Sequence, residues 1–127
     1  MAESGQPGRS DADNQCVLDY ERLDVYRAAI EFLQIAFRII ERIPRGYGAL
    51  ADQLRRAGLS IPLNIAEAAG KSSAKDRAHF HAIARGSAME CGAILDVVSL
   101  LGVGGAEVAQ GKQLLERTVS MLSKMCR

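Results

Sequence analysis

The chain has 127 residues, 48% of them hydrophobic and 24% charged, and sixteen basic against fifteen acidic residues leave a net charge of +1. This balance is typical of one globular domain and far from the strongly basic composition of a dedicated nucleic-acid-binding protein. Aromatic residues make up only 5% and tryptophan is absent. We therefore expect an aliphatic core and no base-stacking platform.

The cysteines and the N-terminal segment predict a cytoplasmic protein. Cys16, Cys91 and Cys126 are an odd number without CxxC spacing, which argues against a disulfide framework and favours a reducing compartment. The first residues lack the apolar stretch of a signal peptide, and no window approaches eighteen consecutive apolar residues. Residues 1–18 are polar and glycine-rich, and they predict a flexible tail before a single domain at 19–127.

A first helix is predicted from Leu23 to Ile43, where Pro44 stops it. Its apolar residues form two stripes that together cover about half of the helix circumference. A single core needs a narrower arc, so we expect this helix to face a second surface, most simply another subunit. The stripes are Leu23, Tyr26, Ile30, Leu33, Phe37 and Ile40, and Val25, Ala29, Phe32, Ala36, Ile39 and Ile43.

A second helix is predicted from Ala49 to Ala69, with Gly70 as its C-terminal cap and Pro62 in its interior. An internal proline removes a backbone hydrogen bond and costs about 3 kcal/mol unless the freed carbonyl of residue 58 finds another donor. Ser60 and Asn64 flank the proline and carry short polar groups suited to that purpose.

Two further helices complete the pattern of an all-α, antiparallel four-helix bundle whose second helix is interrupted by Pro62. The third follows Ser72-Ser73, an N-cap pair with Asp76 three residues after Ser73, and a fourth runs from Ala106 to Cys126 after a glycine-rich break. Small residues in the third helix predict a close approach by a neighbouring helix, of the same bundle or of another subunit. They are Ala82, Ala84, Gly86, Ser87, Ala88, Gly92 and Ala93.

Several motifs resemble a four-helix-bundle family whose founding members are encoded in intervening sequences of bacterial large-subunit ribosomal RNA genes. They are Leu23-Asp24-Val25-Tyr26, Gln53-Leu54-Arg55-Arg56-Ala57, Ser60-Ile61-Pro62-Leu63-Asn64-Ile65-Ala66-Glu67, and Arg85-Gly86-Ser87 with Glu90. The resemblance implies a ring of five bundles without assigned activity. It also implies a relation to accessory proteins of diversity-generating retroelements, which pair with a reverse transcriptase and bind nucleic acid through a basic ring surface.

The residues favour neither catalysis nor metal binding. Asp76 and His79 have the carboxylate-x-x-His spacing of half a di-iron site, but a second copy is missing and His81 lies about 200° around the helix. Cys91 falls on an apolar seam without a basic neighbour, as expected for a small buried side chain. We therefore predict a protein that is not an enzyme, with no catalytic, metal or cofactor site.

The charged residues allow two interpretations. One is a partly buried polar network that fixes the register of the bundle. The other is weak, multivalent phosphate binding by a basic middle segment, since residues 45–89 carry seven basic and three acidic groups. The network residues are Ser60, Asn64, Glu67, Arg85, Ser87 and Glu90. The candidate nucleic-acid contacts are Arg55, Arg56, Lys71, Lys75 and Arg77.

Two functions follow as expectations. The favoured one is a non-enzymatic homo-oligomeric scaffold, with other copies of itself and another protein as partners and no membrane contact. The alternative is a nucleic-acid-binding accessory protein that contacts RNA or DNA weakly through a repeated basic patch.

Overall fold

The computed structural model describes residues 19–126, and the predicted flexible tail at 1–18 lies outside them. Within this range the chain forms four α-helices and two short 3-10 helices, Asp19–Arg22 and Arg45–Tyr47, and no strand. The predicted all-α four-helix bundle is confirmed, and the first, second and fourth helices begin and end within one residue of their predicted limits. The helices are α1 (Asp24–Arg42), α2 (Gly48–Ala69), α3 (Ala74–Leu100) and α4 (Gly105–Met125).

Local residues set the limits of these helices. Pro44 follows the end of α1 in an extended conformation, because its ring cannot continue the helix. The Ser73 hydroxyl accepts a hydrogen bond from the Asp76 backbone N–H at 3.1 Å and caps α3, as predicted. Between α3 and α4 the chain reverses through Gly102 and Gly104, whose φ angles of 74° and 87° favour glycine.

The helices form a closed cycle of neighbours. Each helix packs against the next one in the chain, and α4 packs back against α1. Consecutive helices are therefore antiparallel neighbours, joined by short loops. In this cycle the α1–α2 edge of the bundle lies opposite the α3–α4 edge, and this arrangement places the surfaces described below.

The two apolar stripes of α1 have different surroundings. The stripe that begins at Val25 faces the core, where Phe32 and Ile39 are completely buried. The stripe that begins at Leu23 lies beside α2, with Leu33 buried and Phe37 still 42% exposed. α1 thus supplies both a core face and a partly exposed side, as the width of its apolar arc indicated.

Pro62 is buried inside α2 without ending the helix. The predicted compensation at this proline needs a correction. The Asn64 Nδ2 group donates to the carbonyl of Ser60 at 2.8 Å and not to that of Gly58, whose usual donor the proline lacks. Gly58 lies six residues, or about 9 Å along the helix axis, before Asn64, which is beyond the reach of a short amide side chain.

Polar contacts join helices at the two ends of the bundle. Arg42 Nη1 at the end of α1 lies 2.9 Å from Glu107 Oε1 at the start of α4, a charge contact without hydrogen-bond alignment. At the opposite end, Nδ1 of the buried His81 lies 3.2 Å from the carbonyl oxygen of Met125. These contacts hold α4 against both α1 and α3.

Candidate interaction surfaces

Three of the predicted network residues meet where α2 packs against α3. The hydroxyl oxygens of Ser60 and Ser87 are 2.7 Å apart, and the Asn64 amide donates to the Ser60 hydroxyl at 3.0 Å. All three side chains are partly buried. A hydroxyl pair that bridges two helices favours one register between them, because sliding either helix leaves both groups unpaired.

The other three predicted network residues lie elsewhere. Glu67 pairs with Lys71 of its own segment, with 3.0 Å between Oε2 and Nζ. Arg85 donates through Nε to the Ser123 hydroxyl of α4 at 2.7 Å. Glu90 is exposed on α3 and has no ion-pair or hydrogen-bond partner within residues 19–126.

Two of the five candidate nucleic-acid contacts take part in the turn between α2 and α3. Arg77 donates through Nη1 to the carbonyls of Lys71 and Ser72, at 3.2 and 2.9 Å. The Lys71 ammonium lies 5.2 Å from the centre of the Phe80 ring, within the range of a cation–π contact. Both side chains therefore contribute to the local structure of the turn.

The remaining candidates are on the surface. Arg55 Nη1 lies 2.7 Å from Asp52 Oδ1 one turn earlier on α2. Arg56 and Lys75 are exposed and have no carboxylate partner in the described part of the chain. The five basic residues therefore do not form one patch of unpaired charges. Of the five, Arg56 and Lys75 have neither an ion-pair nor a hydrogen-bond partner among the described residues.

The outward side of α3 is largely apolar from Ala82 to Leu100. Met89 and Ala93 are exposed and lie about 200° around the helix from the buried Cys91 and Leu95. Leu100, the last residue of α3, is 84% exposed. We call these residues the outer face of α3; they are Ala82, Gly86, Met89, Ala93, Val97 and Leu100.

Sequence reasoning noted the small members of this set and missed the large ones. The sequence does contain a sign of this face, because the six positions are spaced 4-3-4-4-3. This is the same helical period as that of the buried residues of α3. A helix with apolar residues on both faces is expected to be covered on both.

The glycines of α3 have no packing role inside the bundle. A Cβ atom built on Gly86 or Gly92 meets no other atom within 4 Å. By contrast, a Cβ on Gly58 would lie 3.1 Å from Leu33, and one on Gly111 would lie 3.2 Å from Leu95. The sequence predicted that a helix of the same bundle or of another subunit approaches the small residues of α3 closely. At the two glycines, no helix of this bundle does so.

A shallow groove lies beside the outer face, between α3 and α4. Its volume is about 540 Å³. Met89, Gly92 and Ala93 line it from α3, and Leu115 and Val119 line it from α4. Charged side chains stand along it as well, namely Asp96, Lys112 and Glu116.

Three large apolar side chains are also exposed on α1 and α2, the pair of helices opposite α3 and α4. Phe37 is 42% exposed and follows the buried Leu33 by one turn. Leu59 directly follows Gly58, which packs on Leu33, and Leu63 is one turn further at 63% exposure. We call Phe37, Leu59 and Leu63 the α1–α2 ridge.

The Cys91 thiol is buried within α3. Burial, with a smaller effect from the charge of Glu90, raises the pKa of the Cys91 thiol to about 12, so it stays protonated and is a poor nucleophile. Among residues 19–126 there is no group of three or more potential metal ligands. None of the helices in this range is long and apolar enough to cross a membrane.

The fold and its surfaces define a class: an all-α four-helix bundle with apolar residues on two outward edges. The chain belongs to the 23S rRNA-intervening sequence protein family, whose model matches residues 21–124. No curated protein matches the chain. The predicted family is therefore confirmed over nearly the whole described region.

Proposed function

We propose that this protein is a non-enzymatic assembly protein that associates with copies of itself, in the ring of five that its family resemblance implies, and serves as a scaffold. The observation that supports the proposal best is the outer face of α3. There, large apolar side chains and Gly86, which has open space above it, lie on the side directed away from the bundle's own core.

The energetic argument concerns the exposed side chains of this face. Fully burying a Met, Val or Leu side chain is worth about 1.5–3 kcal/mol. Met89, Val97 and Leu100 are exposed by 55%, 45% and 84% in the single bundle. Covering them with another copy would therefore contribute several kcal/mol toward association, before the cost of bringing two chains together.

The mass of the particle in solution tests self-association. We expect light scattering or native mass spectrometry at micromolar concentration to give a multiple of the 13.7 kDa chain mass. The large exposed apolar patch is the physical reason, since monomers rarely expose such patches. A particle of 13.7 kDa would contradict the proposal.

The alternative is a nucleic-acid-binding accessory protein, and the exposure of Arg56 and Lys75 without carboxylate partners favours it. In a ring these charges would recur once per subunit, and weak phosphate contacts would add up. The use of Lys71 and Arg77 inside the turn leaves less charge for such contacts than the sequence indicated.

Gel-shift experiments distinguish the two proposals. If the accessory function is correct, RNA or DNA is retained at about 50 mM salt, retention falls steeply with added salt, and Lys75→Glu weakens it without sequence preference. Arg38→Glu, the same reversal of charge at an exposed position of α1, is the matched control. Absence of retention with the oligomer intact would leave the scaffold.

A further inference from the structure

We propose that Met89 is a site of reversible oxidation, and that conversion of its thioether to the sulfoxide prevents the self-association of this chain. The inference rests on the proposed self-association and adds a chemical control over it. It assigns a role to the one large side chain that belongs both to the outer face of α3 and to the groove beside it.

Met89 is open to a small oxidant on several sides. Its side chain is 55% exposed. On a helix surface the neighbours of a residue are those three and four positions away, and here they are Arg85, Gly86, Gly92 and Ala93. A Cβ built on either glycine meets no atom within 4 Å. The thioether therefore stands clear of its surroundings, in the middle of the face that another copy would have to cover.

The other sulfur atoms of the described chain are better covered. Met121 and Met125 are partly buried and pack against the core from α4. Cys126 is partly buried as well. The Cys91 thiol is buried, and burial raises its pKa to about 12, so little of the reactive thiolate forms. Met89 therefore carries the most exposed sulfur in the described part of the chain.

The oxidant that we propose is a peroxide, in the simplest case hydrogen peroxide. The sulfur gives an electron pair to one peroxide oxygen, and the O–O bond breaks. The proton on the transferred oxygen passes to the departing hydroxide, and water leaves. The thioether is thus oxidised to the sulfoxide and the peroxide is reduced to water, and methionine sulfoxide reductases reverse the change.

Covering a sulfoxide is less favourable than covering a thioether. The sulfoxide is polar, and its oxygen needs a hydrogen-bond donor once water is excluded. Of the described residues that line the groove, only Lys112 and Ser120 carry side-chain donors, and the Lys112 ammonium pairs with Asp96. We therefore expect oxidation to weaken association by roughly tenfold or more.

Assembly and oxidation then oppose each other. In an assembled particle the neighbouring copy covers Met89 and keeps peroxide away from the sulfur. A free chain exposes the sulfur, and once oxidised it stays free until the sulfoxide is reduced. The rate at which Met89 is oxidised should therefore fall as the protein concentration is raised and more chains assemble.

Two substitutions at this position separate the chemistry from the packing. Met89→Leu keeps an apolar side chain of similar size and removes the sulfur, and Met89→Gln introduces a permanent polar group of similar length. Peroxide is applied to dilute protein, which is then concentrated into the micromolar range. Light scattering and native mass spectrometry measure assembly, and peptide mass mapping identifies each methionine that has gained an oxygen atom. Circular dichroism verifies that every sample is folded.

We expect peroxide to oxidise Met89 before Met121 and Met125 and to leave the wild type monomeric where the untreated protein assembles. Methionine sulfoxide reductase should restore assembly. Met89→Leu should assemble before and after treatment, and Met89→Gln should assemble poorly without treatment.

Two results would overturn the proposal. One is a wild type that assembles unchanged with Met89 fully oxidised. The other is a treated Met89→Leu variant that loses assembly as the wild type does, because the effect would then come from another sulfur. An untreated wild type that is monomeric would instead refute the self-association on which the inference rests.

Discussion

At the scale of single residues, the Ser60–Asn64–Ser87 cluster is the main polar contact between α2 and α3. Its hydrogen bonds of 2.7–3.0 Å involve two helices that are separated by 27 residues at the point of contact. The aliphatic core around it has no directional preference, so these groups distinguish one relative position of the helices from others.

We expect Asn64→Leu to destabilise the protein by about 1–3 kcal/mol, because it removes the two hydrogen bonds of the amide, each worth about 0.5–1.5 kcal/mol, while the Ser60 hydroxyl keeps its contact with Ser87. Thermal and denaturant unfolding measure the change. Gln110→Leu, at an exposed position of α4, is the control for adding a leucine to a helix. Equal midpoints for both variants would show that the amide bonds contribute nothing.

Cys91 makes stability depend on alkaline pH. Its pKa is about 12 in the folded chain, mainly because of burial, against 9.0 for an ordinary thiol. The folded state therefore holds a proton that the unfolded state loses above about pH 9, and the contribution of this thiol to stability is lost as the pH rises toward 12.

Between about pH 9 and about pH 12 we expect the free energy of unfolding of the wild type to fall by up to about 1.4 kcal/mol per pH unit relative to Cys91→Ala. Denaturant unfolding of both proteins at several pH values measures the difference, and other titrating groups cancel because both proteins contain them. Parallel pH profiles would mean that the thiol ionises as easily in the folded chain as in the unfolded one.

At the scale of elements, α3 is apolar on opposite faces. Cys91, Leu95 and Val98 are buried in the core, whereas Met89 and Leu100 are exposed. Gly86 and Gly92 lower the helix propensity of α3 without allowing closer packing in the bundle. The helix thus gives up intrinsic stability at positions that matter only if something outside the bundle contacts them.

Substitution of single glycines by alanine separates these roles. We expect Gly86→Ala to stabilise the monomer by about 0.5–1 kcal/mol, because the added methyl group meets nothing and helix propensity improves. Gly104→Ala should destabilise it by about 1–3 kcal/mol, because φ is 87° there and the Cβ would lie 2.5 Å from a Val108 methyl carbon.

Both glycine variants are best compared in the Leu63→Lys background, where a charge on the α1–α2 ridge is expected to prevent self-association and stability reflects the single bundle. Chemical denaturation gives the two free energies. A loss of stability in Gly86→Ala would show that the bundle itself needs the glycine, and would remove one argument for an external contact.

At the scale of the whole molecule, a net charge of +1 gives little electrostatic repulsion between copies. In the proposed self-association, the apolar outer face of α3 and the α1–α2 ridge would therefore contribute most. Association that buries them would link folding to assembly, since a partner that binds only folded chains stabilises the folded state by mass action.

We therefore expect the unfolding temperature of the wild type to rise with protein concentration across the micromolar range, and that of Leu63→Lys to stay constant. Differential scanning calorimetry at several concentrations measures both. The control is Gln110→Lys, which should follow the wild type. A wild-type unfolding temperature independent of concentration would contradict coupling between folding and assembly.

The sequence by itself determined the helices and their limits. Pro44, Ser73 and the glycines after α3 act on the backbone within a few residues of where they stand, and the apolar period of 3–4 residues needs no knowledge of the neighbours. The family could also be predicted, because its motifs are contiguous segments of chain.

Only the tertiary structure decided which apolar stripe of α1 is core, that Gly86 faces outward, and that Asn64 bonds to Ser60. It also decided that Arg85 bonds to Ser123, 38 residues away. The physical reason is the same in each case. The rotation and register of a helix depend on packing against helices far away in the chain, and a periodic pattern fixes neither of them.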